Sequence, residues 1–185
     1  MTIMVIVLGL GAASLYAQLS RQDWLRADEQ TVRLKPSAFP NLPSAVRDEL
    51  QHRGCTIPQP FGLSQPRNVA SGSFVVAGQK DWAVLCSRNK RSAILVFAGG
   101  RTDSVDEFAD EPDLQYLQVF TRDNKIGYSR VLTSVPEVVL RKRIELRTSK
   151  LWKIDHNGIE DAFMEKGSTL WYRSGTKWVK RSAAE

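Results

Sequence analysis

The sequence predicts an α+β fold: a mostly antiparallel sheet of about five to seven strands, with two helices packed on it. Three observations predict it. Short β-branched segments separated by glycine or polar turns fill the middle of the chain and return at its end. Two other stretches carry helical spacing with a proline near the start. The chain has 185 residues, 42% of them hydrophobic and 25% charged, which suits one domain with a real core and excludes wholesale disorder. No period of about 20 to 50 residues recurs, so a solenoid or propeller made by this chain alone is not expected.

The chain opens "MTIMVIVLGLGAASLYAQLS", and Met1 to Tyr16 holds no charged side chain. A membrane span needs about 20 apolar residues, so this run is short for one and fits the core of a secretory signal. Cleavage is expected after Ala17, with Leu15 three positions before the cut. No Lys or Arg precedes the apolar run, and an uncleaved anchor or a buried N-terminal helix stay open as alternatives. Residues 18–42 read as a polar N-terminal extension, with weak structure across Gln18 to Lys35. Residues 43–185 then form the single domain.

"PSAVRDELQHRG" is the clearest helix, with Pro43 in its first turn, Asn41 as its cap and Gly54 as its stop. "TIPQPFGLSQPRN" reads as a loop held extended by Pro58, Pro60 and Pro66. "NVASGSFVV", "DWAVLCSR" and "RSAILVFAG" read as strands. Trp82, Val84 and Cys86 share one face of the second, and Ala83 and Leu85 the other. In the third, Ile94 and Val96 oppose Leu95 and Phe97, so both strands are expected to be buried on two sides. "RTDSVDEFADEPD" is acidic and lacks the spacing of a calcium loop, which predicts a solvated loop or short helix. "LQYLQVFTRDNKIGYSRVL" predicts two strands around its polar centre. "SVPEVVLRKRIEL" predicts the second helix, with Ser134 as cap and Pro136 in the first turn. "GSTLWYRSGTKWVKR" predicts a closing hairpin that turns at Ser174 to Thr176.

Export decides the role of the two cysteines. In an oxidising compartment two thiols tend to pair. Cys55 follows the first helix and Cys86 lies on a buried strand, 31 positions later. A bridge closing that loop stabilises the fold by roughly 3 to 4.7 kcal/mol on the chain-entropy model. A structural Cys55–Cys86 disulfide is therefore expected, and no metal site, since metal clusters need about four ligands at tight spacing.

"GSFVVAGQKDWAV", Gly72 to Val84, resembles one FG-GAP-type repeat of extracellular β-propellers through Gly72, Phe74, Gly78, Asp81, Ala83 and Val84. Such repeats commonly bind calcium through acidic turn residues. Here Ser73, Val75 and Ala77 stand at those turn positions, so the resemblance implies strand–turn–strand shape without calcium. Together the apolar leader, "RGCTIPQP", "GQKDWAVLCS", "ILVF", "HNGIEDAF" and "YRSGTKW" resemble a group of small exported bacterial proteins of unknown function. That resemblance implies location and architecture, not an activity.

Two segments hold candidate functional residues. "KIDHNGIEDAF" brings Asp155, His156, Glu160 and Asp161 close in sequence around an Asn157-Gly158 turn, a set capable of acid–base chemistry if the side chains converge. An ordinary polar loop is the competing reading. His52 reads as a helix-end histidine favoured by the dipole. The C-terminal third carries Arg141, Lys142, Arg143, Lys150 and Lys153 with Trp152, Trp171 and Trp178. Cations interleaved with aromatics can hold a polyanion, and the chain's net charge of +6 agrees. A solvated helix face plus core tryptophans competes with that reading.

The chain shows no nucleophile elbow, phosphate loop, dinucleotide fingerprint or H-E-x-x-H, so no cofactor is expected. The expectation is an exported, non-catalytic binding or interaction module, secreted or periplasmic. Its partner would be an anionic envelope polymer or an acidic protein, with nucleic acid not expected. A hydrolase using the His156 loop and an envelope-accessory structural protein are the alternatives.

Overall fold

The computed structural model describes residues 19–121, 124–145 and 154–182, and the leader with its expected cleavage point lies outside them. Helix α1 (Arg21–Gln30) occupies the stretch expected to be weakly structured. Its start is a capping box: Ser20 accepts from the Asp23 N–H, and the Asp23 carboxylate accepts from the Ser20 N–H. The spacing of Ser20 and Asp23 carried that signal in the sequence. Strand β1 (Arg33–Leu34) follows, then α2 (Ser44–His52), then β2 (Ile57–Pro58), which pairs antiparallel with β1. The proline-rich loop therefore begins as a two-residue strand. Pro43, and not Asn41, stands at the N-cap of α2, and no side chain caps that end. Gly54 ends α2 at φ +70°, with Gly54 N–H on Gln51 O and Cys55 N–H on Leu50 O. This Schellman closure hands Cys55 straight into the core.

The expected single sheet of about five to seven strands is instead twelve strands among the described residues, in four sheets: the β1–β2 pair, one further two-stranded hairpin and two four-stranded sheets. One four-stranded sheet contains β3 (Val69–Gly72), β4 (Asp81–Arg88), β5 (Arg91–Phe97) and β6 (Val105–Pro112), in chain order. Asn89 and Lys90 both hold positive φ in the β4–β5 turn, as a tight two-residue hairpin loop requires. After the separate hairpin β7 (Leu117–Phe120) and β8 (Lys125–Tyr128) comes β9 (Arg130–Val135). Helix α3 (Glu137–Glu145) leads out of β9. Strands β10 (Gly158–Phe163), β11 (Gly167–Ser174) and β12 (Lys177–Ser182) complete the second sheet, ordered β12-β11-β10-β9. Every pairing is antiparallel.

Four layers result: α2, the first sheet, the second sheet and α3. Ala83, Leu85, Ile94 and Val96 pack against Leu132, Ile159 and Trp171 between the sheets. Trp82, Val84, Leu95 and Phe97 pack on the other side against Val46 and Leu50 of α2. Leu140 and Ile144 of α3 close the outer face of the second sheet over Leu170 and Tyr172. The doubly apolar β4 and β5 are central for this reason: one face meets a helix and the other a sheet. Cys55 and Cys86 form the expected disulfide, joining the end of α2 to β4.

Three further expectations change. The acidic segment is neither loop nor helix but edge strand β6, whose Phe108 faces the core while its charges protect the edge. Ser134 sits inside β9, so it does not cap α3; Pro136 O accepts the first helical N–H bonds, from Val139 and Leu140. Asn157-Gly158 is not a hairpin turn, because Gly158 already pairs with Val135 as β10 begins. A Cβ at Gly158 would lie 2.9 Å from Leu140 Cδ1 and 3.2 Å from Trp171 O. Glycine is needed there so that α3 can approach the sheet.

Candidate functional site: a cleft beside helix α1

Within the proposed acid–base set, the structure sends Glu160 and Asp161 in different directions. Strand β10 turns Glu160 and Asp161 to opposite faces of the second sheet. Asp161 points between the sheets and grips Arg130 through two bonds of 2.8 Å. Arg130 is fully buried, donates also to Ser92 O and Ala109 O, and lies 4.4 Å over the Tyr116 ring. Ala109 adopts φ +56° where the β5–β6 register shifts, and this bulge aims its carbonyl at Arg130. Burial pulls the Arg130 guanidinium down, but its bonds to Asp161 more than offset this and hold it above the ordinary arginine value. Burial likewise pushes Tyr116 up to about 12.

Glu160 faces outward, accepting from Ser168 Oγ at 2.7 Å and from Arg143 at 3.1 Å. His156 is buried, with Nδ1 2.9 Å from Asn157 O and Nε2 2.9 Å from Arg173 O. Both ring nitrogens are thus engaged by backbone, while Asp155 is exposed. Through these bonds the segment ties strands together. His52 lies exposed at the end of α2, as expected.

The basic and aromatic residues are also largely engaged. Arg141 pairs with Glu137 and Arg143 with Glu160, while Lys142 is exposed. Lys150, Trp152 and Lys153 lie outside the described residues. Trp171 and Trp178 pack on Phe108 with ring centroids 4.8 and 4.6 Å away. Trp178 donates its indole N–H to Asp106 at 2.9 Å, and Arg173 pairs with the same carboxylate. The acidic strand and the aromatic hairpin meet across the open side of the sandwich, so these tryptophans seal its rim. Lys177, Lys180 and Arg181 are exposed on edge strand β12.

Asp81, from the FG-GAP-like stretch, is fully buried. Its carboxylate accepts from the N–H groups of Phe74, Val75 and Gly99 and from Gln79 Nε2. These bonds fold the β3–β4 connection and engage both oxygens of the carboxylate. No group of three or more potential metal ligands occurs among the described residues. A second buried network joins Lys90, Asp28, Arg33 and Asp113 to Ser87 and Ser92. It fastens α1 and β1 to the first sheet.

What sequence reasoning missed is a cleft of about 800 Å³ between α1, loop 59–66 and the β8 end of the small hairpin. Its walls include Leu19, Ala27, Val32, Leu34, Phe61 and Leu63. The loop is preformed. Gln59 accepts from Arg67 N–H at 2.7 Å and donates to Arg67 O at 3.1 Å, closing the loop's ends. Phe61 N–H donates to Tyr128 O, and the Phe61 ring sits against Phe120, 5.0 Å between centroids. Gly127 leaves the room for this, since a Cβ there would lie 2.4 Å from Phe61 Cβ. Asp23, Arg26 and Lys125 stand among the polar lining residues. Hydrogen bonds from Ser20 hold the Asp23 carboxyl below its usual value. The cleft brings together residues some hundred positions apart, so no local motif announces it.

Comparison with protein-family models, curated proteins and solved structures finds no match.

Proposed function

We propose that this protein is an exported, non-catalytic binding module, and that it holds its ligand in the cleft beside α1. The observation that carries the reading is the cleft itself: apolar walls, a preformed loop and a polar border, in the size range of about 300–1,000 Å³ typical of ligand sites. It contains neither histidine nor cysteine. The apolar leader, the disulfide and the resemblance to small exported bacterial proteins support a location outside the cytoplasm. Among the described residues no helix is long and apolar enough to cross a membrane.

The test uses anilinonaphthalene sulfonate, a dye with an apolar body and an anionic group. Folded protein should enhance its fluorescence, and Leu63→Asp should weaken that binding about tenfold, the equivalent of roughly 1.4 kcal/mol. An unchanged response in Leu63→Asp would place the dye elsewhere and sink the reading.

A second reading, binding of an anionic envelope polymer, is favoured by Lys177, Lys180 and Arg181 on the exposed β12 edge. Its mark is a polymer affinity that falls steeply with salt and vanishes in the triple Lys/Arg→Gln variant. The hydrolase alternative requires that His156→Ala abolish a hydrolytic activity while leaving the fold intact. An envelope-accessory role would show as an integrity defect on deletion with no ligand bound.

A further inference from the structure

We infer that the cleft takes the acyl chain of an anionic membrane lipid, with the headgroup beside Arg26 and Lys125, so that this face of the protein seats on a membrane surface. The inference rests on the proposed role of the cleft and names its occupant.

Uncovered apolar surface is the first ground. Leu19, Val32 and Leu63 are 44%, 59% and 40% exposed, and all three border this one cleft. Exposed apolar side chains scattered singly need no explanation, but a cluster around a concavity marks an interaction site.

Where the apolar leader ends is the second ground. Met1 to Tyr16 is uncharged, and Leu19, three positions later, is already a cleft residue. A leader held in a membrane, during export or as an anchor, would lie within three residues of the cleft-lining Leu19.

Charge is the third. Arg26 and Lys125 are exposed among the lining residues. The lining carboxylate Asp23 is already held by Ser20 N–H and Oγ, both at 2.8 Å, with Arg26 at 3.4 Å. Cations near an anionic lipid surface are attracted to it, and the net charge of +6 adds to this.

The walls also favour hydrocarbon over peptide. An extended peptide needs unpaired backbone donors and acceptors along a groove. Here Val32 O already accepts from Gln59 N–H, and Phe61 N–H already binds Tyr128 O. Pro60 and Pro66 have no N–H to give. A peptide in this cleft would leave its own backbone polar groups unmatched, whereas an acyl chain has none.

The experiment uses the full chain and vesicles of phosphatidylglycerol and phosphatidylcholine in equal parts. A trace of phosphatidylglycerol carries a photoreactive diazirine in its tail. After irradiation and digestion, cross-links are expected on segments 59–66 and 124–128. Val32→Asp and Leu63→Asp should each lower them about tenfold. Both side chains are exposed, so a thermal melt should confirm that the fold survives. Lys125→Glu should lower cross-linking in these vesicles and leave it unchanged in phosphatidylcholine vesicles whose probe is a diazirine-tailed phosphatidylcholine. Cross-links confined to residues 1–18, or cleft cross-links indifferent to the two Asp variants, would overturn the inference. So would displacement of the bound dye by an apolar peptide but not by lipid. If the dye enters the cleft and lipid does not, this inference fails while the binding-module reading stands. If neither enters, both fail.

Discussion

Asp161→Ala would strip Arg130 of its carboxylate while leaving the guanidinium sealed between two sheets. Arg130 is fully buried and the Asp161 side chain is 5% exposed, so neither group can turn to solvent. Removing one partner of such a pair costs about 3–5 kcal/mol, because a buried charge is left uncompensated. That is a large part of the roughly 5–15 kcal/mol that holds a domain together. Arg130→Met acts from the other side. It deprives Asp161, Ser92 O and Ala109 O of their donor, at about 1–3 kcal/mol for each buried group left unsatisfied. Arg130→Met combined with Asp161→Leu removes both charges, and its cost should fall short of the sum by about 2–3 kcal/mol. Urea unfolding with the disulfide intact measures all four corners of the cycle. A loss under about 1 kcal/mol for Asp161→Ala, or additivity within about 0.5 kcal/mol, would refute the reasoning. It would also return Asp161 to the list of groups available for chemistry.

Three other expectations follow from the same geometry. Reducing the Cys55–Cys86 bond, which closes a separation of 31, should cost about 3.7 kcal/mol on the chain-entropy model. For a domain of this size that lowers Tm by roughly 7–15 °C, readable by calorimetry with and without reductant. Asp81→Ala should destabilise by about 2–4 kcal/mol, since three backbone N–H groups lose their acceptor; added calcium should leave the wild-type Tm where it is, and a calcium-dependent rise would refute the assignment. In alkali, Tyr116 should ionise near pH 12 and not near its ordinary value of 10, a shift visible in phenolate absorbance and absent in Tyr116→Phe. The folded value is raised, so the associated stability is fully present below pH 10 and is lost as pH climbs toward 12.

Much of the fold was legible because the relevant forces are local. Strands β4 and β5 were readable with their faces, since alternation fixes which side chains share a side. The stop of α2 at Gly54 and the closing hairpin were readable because glycine and proline act through their own dihedrals. Strand β6 was not readable. Its charges argue against a strand, and only pairing with β5 and the burial of Phe108 overrule them. Helix α1 was readable in principle from Ser20 and Asp23, but its polar composition hid the cap.

The candidate site divides along the same line. By itself the sequence determined the compartment-dependent pairing of Cys55 with Cys86, the α+β class and the lack of a known catalytic motif. Each depends on residue identity or near neighbours. Tertiary structure alone decided that two sheets stack with a helix on either side. It decided that Asp161 faces Arg130 while Glu160 turns away, and that Trp178 meets Asp106. It also decided that Leu19, Val32, Phe61 and Leu63 surround one cleft. The physical reason is that burial and charge pairing belong to pairs of elements: a side chain's role depends on what the rest of the chain packs against it, and one segment does not contain that information.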